Sequence, residues 1–313
     1  MMDSKSKIYL AGHRGMVGSA IKRHLEKENY NNIITRTRSE LDLCNQEDVN
    51  RFFATEKPDY VFLAAAKVGG INANTRFPAE FLYENLMIQN NIIHSAYLNN
   101  VKKLCFLGSS CIYPRNCPQP MKEEYFLTGP FEPSNEGYAI AKSAGYKLCQ
   151  YYTKQYGFNT ISLMPCNLYG TNDDFNLETC HVLSALIRRF CNAVKDGKKT
   201  VILWGSGSAL REFLHVDDLA EICIHMIKNY DGPEFVNTGS GKEISIMELA
   251  YKIAKLSGYN GNIEWDTSKP DGMPRKLMDT SKLNSLGLTP KISLDEGILK
   301  TIKEYRKKFG LVV

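Results

Sequence analysis

The sequence predicts an α/β fold in which a parallel, doubly wound sheet is followed by a smaller substrate-binding domain. Two observations support this prediction. Through the first 170 residues, short apolar runs typical of buried strands alternate with longer segments of helical periodicity. The first of these strands, residues 7–11, leads directly into a glycine-rich turn, which is the context of a dinucleotide-binding loop. Together they indicate a sheet of the Rossmann type.

The composition is that of a soluble globular protein. Of the 313 residues, 43% are hydrophobic and 23% are charged, and no apolar run is long enough to span a membrane. The first seven residues lead straight into a strand, so we expect no signal peptide. The nine cysteines form no C-x-x-C pair, which favours reduced thiols in the cytoplasm over disulfides or a metal site.

The charge pattern bears on the partners of the protein. The net charge of +5 is mild, and the basic residues are spread along the chain among acidic ones. We therefore expect no nucleic-acid partner, whereas a small anionic ligand suits this charge.

The glycine-rich turn has the spacing G-x-x-G-x-x-G and precedes a helix predicted over Ser19–Asn29. Glycines permit a tight turn and a close approach to a pyrophosphate, and a helix N-terminus attracts the phosphate charge. The sequence therefore predicts that a dinucleotide contacts the whole turn, that is Gly12, His13, Arg14, Gly15, Met16, Val17 and Gly18.

Two arginines after the second predicted strand, Asn32–Thr35, indicate which dinucleotide is bound. Enzymes that use NAD usually place a carboxylate here for the ribose 2′-hydroxyl, whereas arginines suit a 2′-phosphate. Arg36 and Arg38 therefore favour NADP over NAD, and Arg14 adds a further charge nearby.

The alternation continues to about residue 170. Further strands are predicted at Tyr60–Ala66, Lys103–Gly108 and Thr160–Pro165, helices at Pro78–Asn99 and Tyr138–Tyr156, and a loop at Pro114–Pro133. The alanines that end the first of these strands, including Ala65, would let a cofactor pass close above the sheet. The strand at Lys103–Gly108 delivers Ser109 at its carboxyl end.

Tyr138 and Lys142 lie one helical turn apart on the same face of a predicted helix. A positive charge near a phenol favours phenolate, so we expect Lys142 to lower the pKa of Tyr138 from about 10. Such a phenol exchanges a proton with a substrate oxygen near neutral pH. A Y-x-x-x-K pair alone is a weak indication, and its weight rests on the glycine-rich turn and on Ser109.

The second half of the chain is less regular. Helices are predicted over His181–Asp196 and Ile246–Ser257, and a loop over Lys269–Lys276. We expect a cofactor-binding domain of residues 1–170 plus about 208–240, and a substrate-binding domain of residues 171–207 plus 241–313, which closes over the substrate.

Several segments resemble the extended short-chain dehydrogenase/reductase family, and within it the GDP-L-fucose synthases. They are A-G-H-R-G-M-V-G (11–18), L-A-A-A-K-V-G-G-I (63–71), F-L-G-S-S-C-I-Y-P (106–114), Y-A-I-A-K (138–142), W-G-S-G (204–207), R-E-F-L-H-V-D-D (211–218) and K-P-D-G-x-P-R-K (269–276). The first, third and last are the most specific. The glycine-rich turn and Y-x-x-x-K identify only the superfamily.

The resemblance implies an NADPH-dependent enzyme that epimerises C3 and C5 of GDP-4-keto-6-deoxy-mannose and then reduces C4 in the same site. It implies that Tyr138, Lys142 and Ser109 serve the reduction. Cys111 and His181 match the positions of the family's epimerisation pair, and thiol and imidazole have pKa values suited to proton exchange near neutral pH.

The resemblance also implies the binding residues. Besides the glycine-rich turn, NADP(H) would contact Arg38, Asp42, Ala65, Leu107, Gly108, Ser110, Lys142, Pro165, Asn167, Leu168 and His181. The GDP-sugar would contact Ser109, Arg189, Trp204, Arg211 and Asp271. Guanidinium groups suit the diphosphate. A homodimer is implied as well.

Two departures from the family pattern leave the substrate open. Cys166 stands where threonine is expected, and Thr171-Asn172 stands where Pro-His is usual, at positions expected near the nicotinamide and the sugar. A C4 reductase of a related GDP-4-keto-hexose or heptose is therefore an alternative, and a non-catalytic NADP-binding sensor is a weaker one.

Overall fold

The computed structural model describes residues 2–269 and 271–311. Pro270, in the predicted loop Lys269–Lys276, lies outside the described residues. The strands are β1 (Ile8–Ala11), β2 (Ile33–Ile34), β3 (Tyr60–Leu63), β4 (Lys103–Leu107), β5 (Thr160–Pro165), β6 (Asn167–Tyr169), β7 (Thr200–Trp204), β8 (Leu210–His215), β9 (Val236–Thr238), β10 (Glu243–Ser245), β11 (Asn262–Asp266) and β12 (Arg275–Lys276). The helices are α1 (Met16–Lys27), α2 (Gln46–Glu56), α3 (Ile71–Arg76), α4 (Pro78–Leu98), α5 (Glu136–Tyr156), α6 (Val182–Lys195), α7 (Val216–Asn229), α8 (Ile246–Leu256), α9 (Ser281–Ser285) and α10 (Leu294–Lys308).

The main sheet is parallel and has the order β2-β1-β3-β4-β5-β9. Every residue of β1, β3, β4 and β5 is buried, as expected for strands covered on both faces. The strand order reverses at β1, whose last residue Ala11 pairs with Leu63 of β3. In such sheets ligands bind beyond the carboxyl ends of the strands at this switch point. The predicted fold class is confirmed.

Helices cover both faces of this sheet. On one face α4 packs along α5, where Tyr97 contacts Tyr152 at 5.3 Å between ring centroids and the Gln89 side chain donates to the Ala141 carbonyl at 2.6 Å. On the other face α1 packs against α7, and Arg23 donates to Asp217 at 2.8 Å. The long predicted helices are therefore present, with ends within about three residues of expectation.

Several features differ from the sequence-based expectation, in which α7, α10 and β9 had no counterpart. Helix α1 begins at Met16 rather than Ser19, because Gly15 adopts the extended N-cap conformation. Helix α2 had no counterpart in the prediction, although Asn45 caps it by accepting from the amides of Glu47 and Asp48. The second strand is reduced to two residues.

A second group of strands lies beyond the main sheet. Strand β8 pairs with β6, β10 and β12, while β7 pairs with β11. The β12–β8 register places Lys276 beside Arg211. A second apolar cluster, separate from that of the main sheet, includes Phe190, Leu249 and Ile302. Met278, Leu283 and Leu288 pack in the first cluster. We propose that the chain has two domains. The packing of Met278, Leu283 and Leu288 in the first cluster favours assigning residues 278–288 to the cofactor-binding domain rather than to the substrate-binding domain.

Within residues 2–269 and 271–311, none of the helices combines the length and the apolar character that crossing a membrane requires.

Candidate active site

The glycine-rich turn has the shape that a dinucleotide pyrophosphate requires. Gly12 has a φ of +86°, and a Cβ on it would lie 2.7 Å from the Ala65 backbone nitrogen. A Cβ on Gly18 would collide with the Gly12 carbonyl. Gly15 caps α1 without a side-chain hydrogen bond, so no side chain at the N-cap competes for the first-turn amides. The turn therefore fits the phosphates of a nicotinamide dinucleotide.

The arginines around this turn differ in how freely they could contact a 2′-phosphate. Arg36 donates to Glu56 at 2.6 Å and to its neighbour's carbonyl, so it is held by the protein itself. The Arg38 side chain is 75% exposed and lies 3.6 Å from Glu84. The Arg14 residue is exposed too. The ion pair with Glu56 makes Arg36 less available to a 2′-phosphate, whereas Arg38 and Arg14 remain accessible, and the contacts of these arginines with the cofactor stay a prediction.

Two other predicted cofactor residues lie close to these arginines. Nδ1 of His13 is buried and has no partner among the described residues, and desolvation, followed by the charge of Arg14, lowers the His13 pKa. The Asp42 carboxylate accepts from the Cys44 amide at 3.0 Å.

The other predicted cofactor residues follow the carboxyl ends of the central strands. Ala65 follows β3, Leu107, Gly108 and Ser110 end or follow β4, and Pro165, Asn167 and Leu168 end or follow β5. A Cβ on Gly108 would meet the end of the Met164 side chain, which would have to move. The Asn167 amide donates to the Glu212 carbonyl at 2.8 Å. These residues therefore lie where the switch-point rule puts a ligand.

Ser109, Tyr138 and Lys142 meet between β4 and α5. The Lys142 ammonium is buried, donates to the Leu107 carbonyl at 2.8 Å and lies 5.8 Å from the centre of the Tyr138 ring. Burial lowers the pKa of Lys142 to about 8. The Ser109 hydroxyl accepts from the Cys111 amide at 3.2 Å and thereby begins the short helix Ser110–Ile112.

The pKa of Tyr138 is raised, not lowered. Desolvation is the largest cause, the Cys111 side chain adds to it, and the nearby Ser109 hydroxyl acts in the opposite direction. The prediction that Lys142 lowers the pKa of Tyr138 is therefore wrong. The physical reason is that Lys142 is desolvated itself and is engaged by the Leu107 carbonyl.

Cys111 has two donors at its sulfur. The Asn135 side-chain amide lies 3.1 Å from Sγ and the Lys276 ammonium lies 3.7 Å from it. Neither Asn135 nor Lys276 was assigned a role from the sequence. Asn135 lies three residues before Tyr138, a spacing that could have indicated a shared helix face. Lys276 ends the K-P-D-G-x-P-R-K segment but is 165 positions from Cys111.

His181 is the N-cap residue of α6, and its side chain reaches solvent while protein atoms surround much of it. This partial desolvation, with the charge of Lys276 as the second cause, lowers the pKa of His181. Lys276 therefore acts on both Cys111 and His181. The neutral imidazole is the favoured form near neutral pH.

The predicted substrate-binding residues lie on the second group of strands and on α6. Arg211 is on β8 and burial lowers its pKa, Trp204 ends β7 with 60% of its surface exposed, and Arg189 on α6 donates to the Ile202 carbonyl at 3.4 Å. The Asp271 carboxylate accepts from the Ser206 amide at 2.9 Å and from its hydroxyl at 2.7 Å, which fixes the turn after Trp204. An exposed indole suits a base, and guanidinium groups suit a diphosphate.

The two departures from the family pattern lie in different surroundings. Cys166 is buried, and its thiol donates to the Asn167 carbonyl at 3.7 Å. Asn172 donates from its side chain to the Arg14 carbonyl at 2.7 Å. Asn172 therefore contacts the glycine-rich turn, and the expectation that both departures lie near the nicotinamide and the sugar stays a prediction.

The family model described as "NAD dependent epimerase/dehydratase family" matches residues 8–239. A "Putative GDP-L-fucose synthase 2" of Arabidopsis thaliana is 58% identical, over 97% of this chain and 93% of that protein.

Two solved structures carry NADP. A GDP-mannoheptose C4 reductase from Campylobacter jejuni with NADP bound is 42% identical with a TM-score of 0.91, covering 98% of this chain and 100% of that chain. A GDP-L-fucose synthetase from Naegleria fowleri bound to NADP is 27% identical with a TM-score of 0.91, covering 99% and 97%.

Proposed function

Because the chain belongs to the NAD-dependent epimerase/dehydratase family and, within it, to the GDP-L-fucose synthases, we propose that it converts GDP-4-keto-6-deoxy-mannose to GDP-L-fucose with NADPH. The observation that carries this proposal is the meeting of Ser109, Tyr138 and Cys111 at one point between β4 and α5. Epimerisation at C3 and C5 would precede reduction at C4.

The C4 ketone makes both neighbouring carbons acidic. Removal of a proton from C3 or C5 leaves an enolate with its charge on the C4 oxygen, and reduction puts charge on the same oxygen. Ser109 and Tyr138 would donate to that oxygen in both reactions, in the manner of an oxyanion hole. The raised pKa of Tyr138 keeps its proton on the phenol at neutral pH, as this donor role requires.

Inversion of a carbon needs proton exchange on both of its faces. Cys111 and His181 would supply the two groups, one held by Asn135 and Lys276 and the other in contact with solvent. Bound NADPH supplies the hydride for C4. Lys142 would hold the nicotinamide ribose, and Tyr138 would give its proton to the reduced oxygen.

The nucleotide end would be bound across the second group of strands. Arg189 and Arg211 would pair with the diphosphate, and Trp204 with Asp271 would receive the base and its ribose. The positive charges would also keep a charged substrate in place while its sugar reacts.

The alternative is a C4 reductase without epimerase activity. It is favoured by the similarity to the Campylobacter jejuni C4 reductase and by Cys166 in place of the expected threonine. The greater identity to the Arabidopsis thaliana relative favours the bifunctional proposal. A non-catalytic sensor would have no use for the donor arrangement at Ser109 and Tyr138.

One experiment separates these functions. The enzyme is incubated with GDP-4-keto-6-deoxy-mannose in heavy water without NADPH, and C3 and C5 are examined by NMR. We expect deuterium at both carbons. Cys111→Ser should lose most of this exchange while keeping much of the reduction of pre-epimerised substrate, because an alcohol is a far weaker base than a thiolate.

The matched control is Cys44→Ser, which alters another half-buried thiol outside the active centre. Reduction with NADPH and no exchange would establish the C4 reductase instead. Absence of NADPH turnover with any GDP-4-keto-sugar would leave the sensor.

We further propose that the enzyme is a cytoplasmic homodimer. Helices α4 and α5 leave large apolar side chains at the surface, among them Tyr83, Leu98 and Tyr151, which are 64%, 56% and 55% exposed. A second copy of the chain would cover them, and the cysteines of the described residues are all free thiols, which suits a reducing compartment.

A further inference from the structure

We propose that Asn172 is a positioning residue, which holds the glycine-rich turn in its cofactor-binding shape and links it to the C-terminal helix α10. The proposal rests on the function above insofar as it takes this turn to be the NADP site. Asn172 lies three residues after β6, beyond Gly170, and it belongs to neither the predicted cofactor residues nor the predicted substrate residues.

The contact with the turn fixes one peptide plane from both ends. The Arg14 carbonyl accepts from the Asn172 side chain at 2.7 Å, and the amide of the same peptide bond, on Gly15, donates to the Gly12 carbonyl at 3.0 Å. A peptide unit is planar, so these two hydrogen bonds resist its rotation. Of the two, only the bond from Asn172 comes from outside the turn.

This plane comes immediately before the start of α1. Gly15 is the N-cap, and the amides that follow it would face the pyrophosphate. Their direction depends on the dihedral angles at Arg14 and Gly15, where glycine allows wide rotation. Holding the Arg14 carbonyl therefore orders the anion site before the cofactor arrives, which lowers the entropy cost of binding.

Asn172 is itself fixed by the other half of the molecule. Its φ of +68° is left-handed, a conformation that asparagine tolerates better than most residues. Its backbone amide donates to the Glu304 carboxylate on α10 at 2.6 Å. Tyr305, the next residue on α10, donates to Asn192 of α6 at 3.0 Å. Through these contacts the turn is joined to α6, the helix that carries Arg189 and has His181 as its N-cap.

Asn172→Asp and Asn172→Gly test the proposal through the affinity for NADP⁺, measured by calorimetry without substrate. Glycine keeps the left-handed backbone and removes the donor to the Arg14 carbonyl, together with a longer contact of 3.4 Å to the Ser19 hydroxyl. We expect the Kd to rise about 3- to 10-fold, the loss expected for one well-formed hydrogen bond. Aspartate also places a carboxylate against the Arg14 carbonyl, so its effect should be larger. GDP affinity should stay within about twofold of the unaltered chain in both.

The matched control is Asn176→Asp, which adds the same charge four residues away. Asn176 accepts from the Glu178 amide, and an aspartate can still accept there, so NADP⁺ affinity should not change. Amide hydrogen exchange at residues 13–18 should speed up in Asn172→Gly and stay unchanged in Asn176→Asp. This hydrogen-exchange measurement remains informative even where a variant is less stable overall.

Steady-state kinetics should likewise show an effect on cofactor binding and none on the chemical step. The KM for NADPH should rise in Asn172→Gly while kcat is retained, because no reacting atom is touched. An unchanged Kd for NADP⁺ in Asn172→Asp, or equal losses of NADP⁺ and GDP affinity in Asn172→Gly, would overturn the positioning role. Failure of the unaltered chain to bind NADP⁺ would instead overturn the proposed function, and this proposal with it.

Discussion

Burial, rather than a neighbouring charge, controls the proton affinities of Tyr138 and Lys142. Desolvation raises the pKa of the phenol, away from the neutral range. It lowers the pKa of the ammonium to about 8, toward the neutral range. The pair therefore consists of a phenol that keeps its proton and a lysine that loses its charge in mildly basic solution. This division suits a proton donor beside a cofactor-binding cation.

The pH dependence of kcat/KM for NADPH tests this assignment. That parameter reports the free enzyme, in which Lys142 is charged below about pH 8 and neutral above it. We expect kcat/KM for NADPH to fall as the pH rises through about 8. Lys142→Arg should keep the charge and move this limb to higher pH, whereas a limb that persists near pH 8 in Lys142→Arg would contradict the assignment.

The residues around Cys111 show what the sequence could not predict. Ser109, Tyr138 and Lys142 are recognisable because strand β4 and helix α5 bring them together in a known order. Asn135 and Lys276 reach the same sulfur from 24 and 165 positions away, and the pairing of β12 with β8 helps to bring the lysine there. The Tyr138 pKa was misjudged for a related reason, because burial depends on residues distant in sequence.

At the scale of elements, helix α6 begins beside a buried carboxylate. Asp173 is 4% exposed and accepts hydrogen bonds from the Ser184 hydroxyl and the Asp174 amide. Desolvation is the main cause that raises its pKa from 3.8 to about 6. The ionised Asp173 carboxylate near the helix N-terminus therefore lowers the stability of the folded chain at neutral pH, in spite of the favourable helix dipole.

Asp173→Asn tests this cost through the free energy of unfolding. The folded chain keeps the Asp173 proton up to about pH 6 while the unfolded chain releases it near 3.8, so stability falls as the pH rises through this window. A shift of this size corresponds to about 3 kcal/mol at most. Relative to the unaltered chain, the variant should gain stability between pH 4 and pH 7 in urea titrations, and an equal difference at both pH values would refute the assignment.

The elements were predictable where local patterns decide them. Strands β3, β4 and β5 and helices α4 and α5 follow from apolar runs and helical periodicity, and β1 with its turn follows from three glycines. Helix α2 was missed because its signal is the Asn45 cap and only three buried residues, Val49, Phe52 and Phe53. The strands β6 to β12 are short and pair across long separations, so periodicity gives little indication of them.

At the scale of the whole molecule, the junction between the two apolar clusters depends on Glu212. Its fully buried carboxylate accepts from the Gly241 amide at 2.6 Å and from the Met278 amide at 3.0 Å, and its carbonyl accepts from Asn167. These bonds satisfy a buried charge and tie β8 to segments on both sides.

The proposed homodimer is tested by Tyr151→Asp. A charge on this exposed ring of α5 would have to be desolvated in the interface, so we expect the variant to dissociate at concentrations where the unaltered chain is a dimer. Mass is measured by light scattering after size exclusion. Tyr251→Asp is the control, because Tyr251 is similarly exposed at 53% but lies on α8. Equal behaviour of the two variants would argue against an interface at α4 and α5.

The pairing of β12 with β8 has a further consequence for how substrate size governs the rate. Because Lys276 lies beside Arg211 in that register, the proposed diphosphate contact and the lysine that contacts Cys111 are held on one pair of strands. Affinity gained at the non-reacting nucleotide is then available to align the reacting groups. We therefore expect a keto-sugar without its nucleotide to turn over slowly even at saturation.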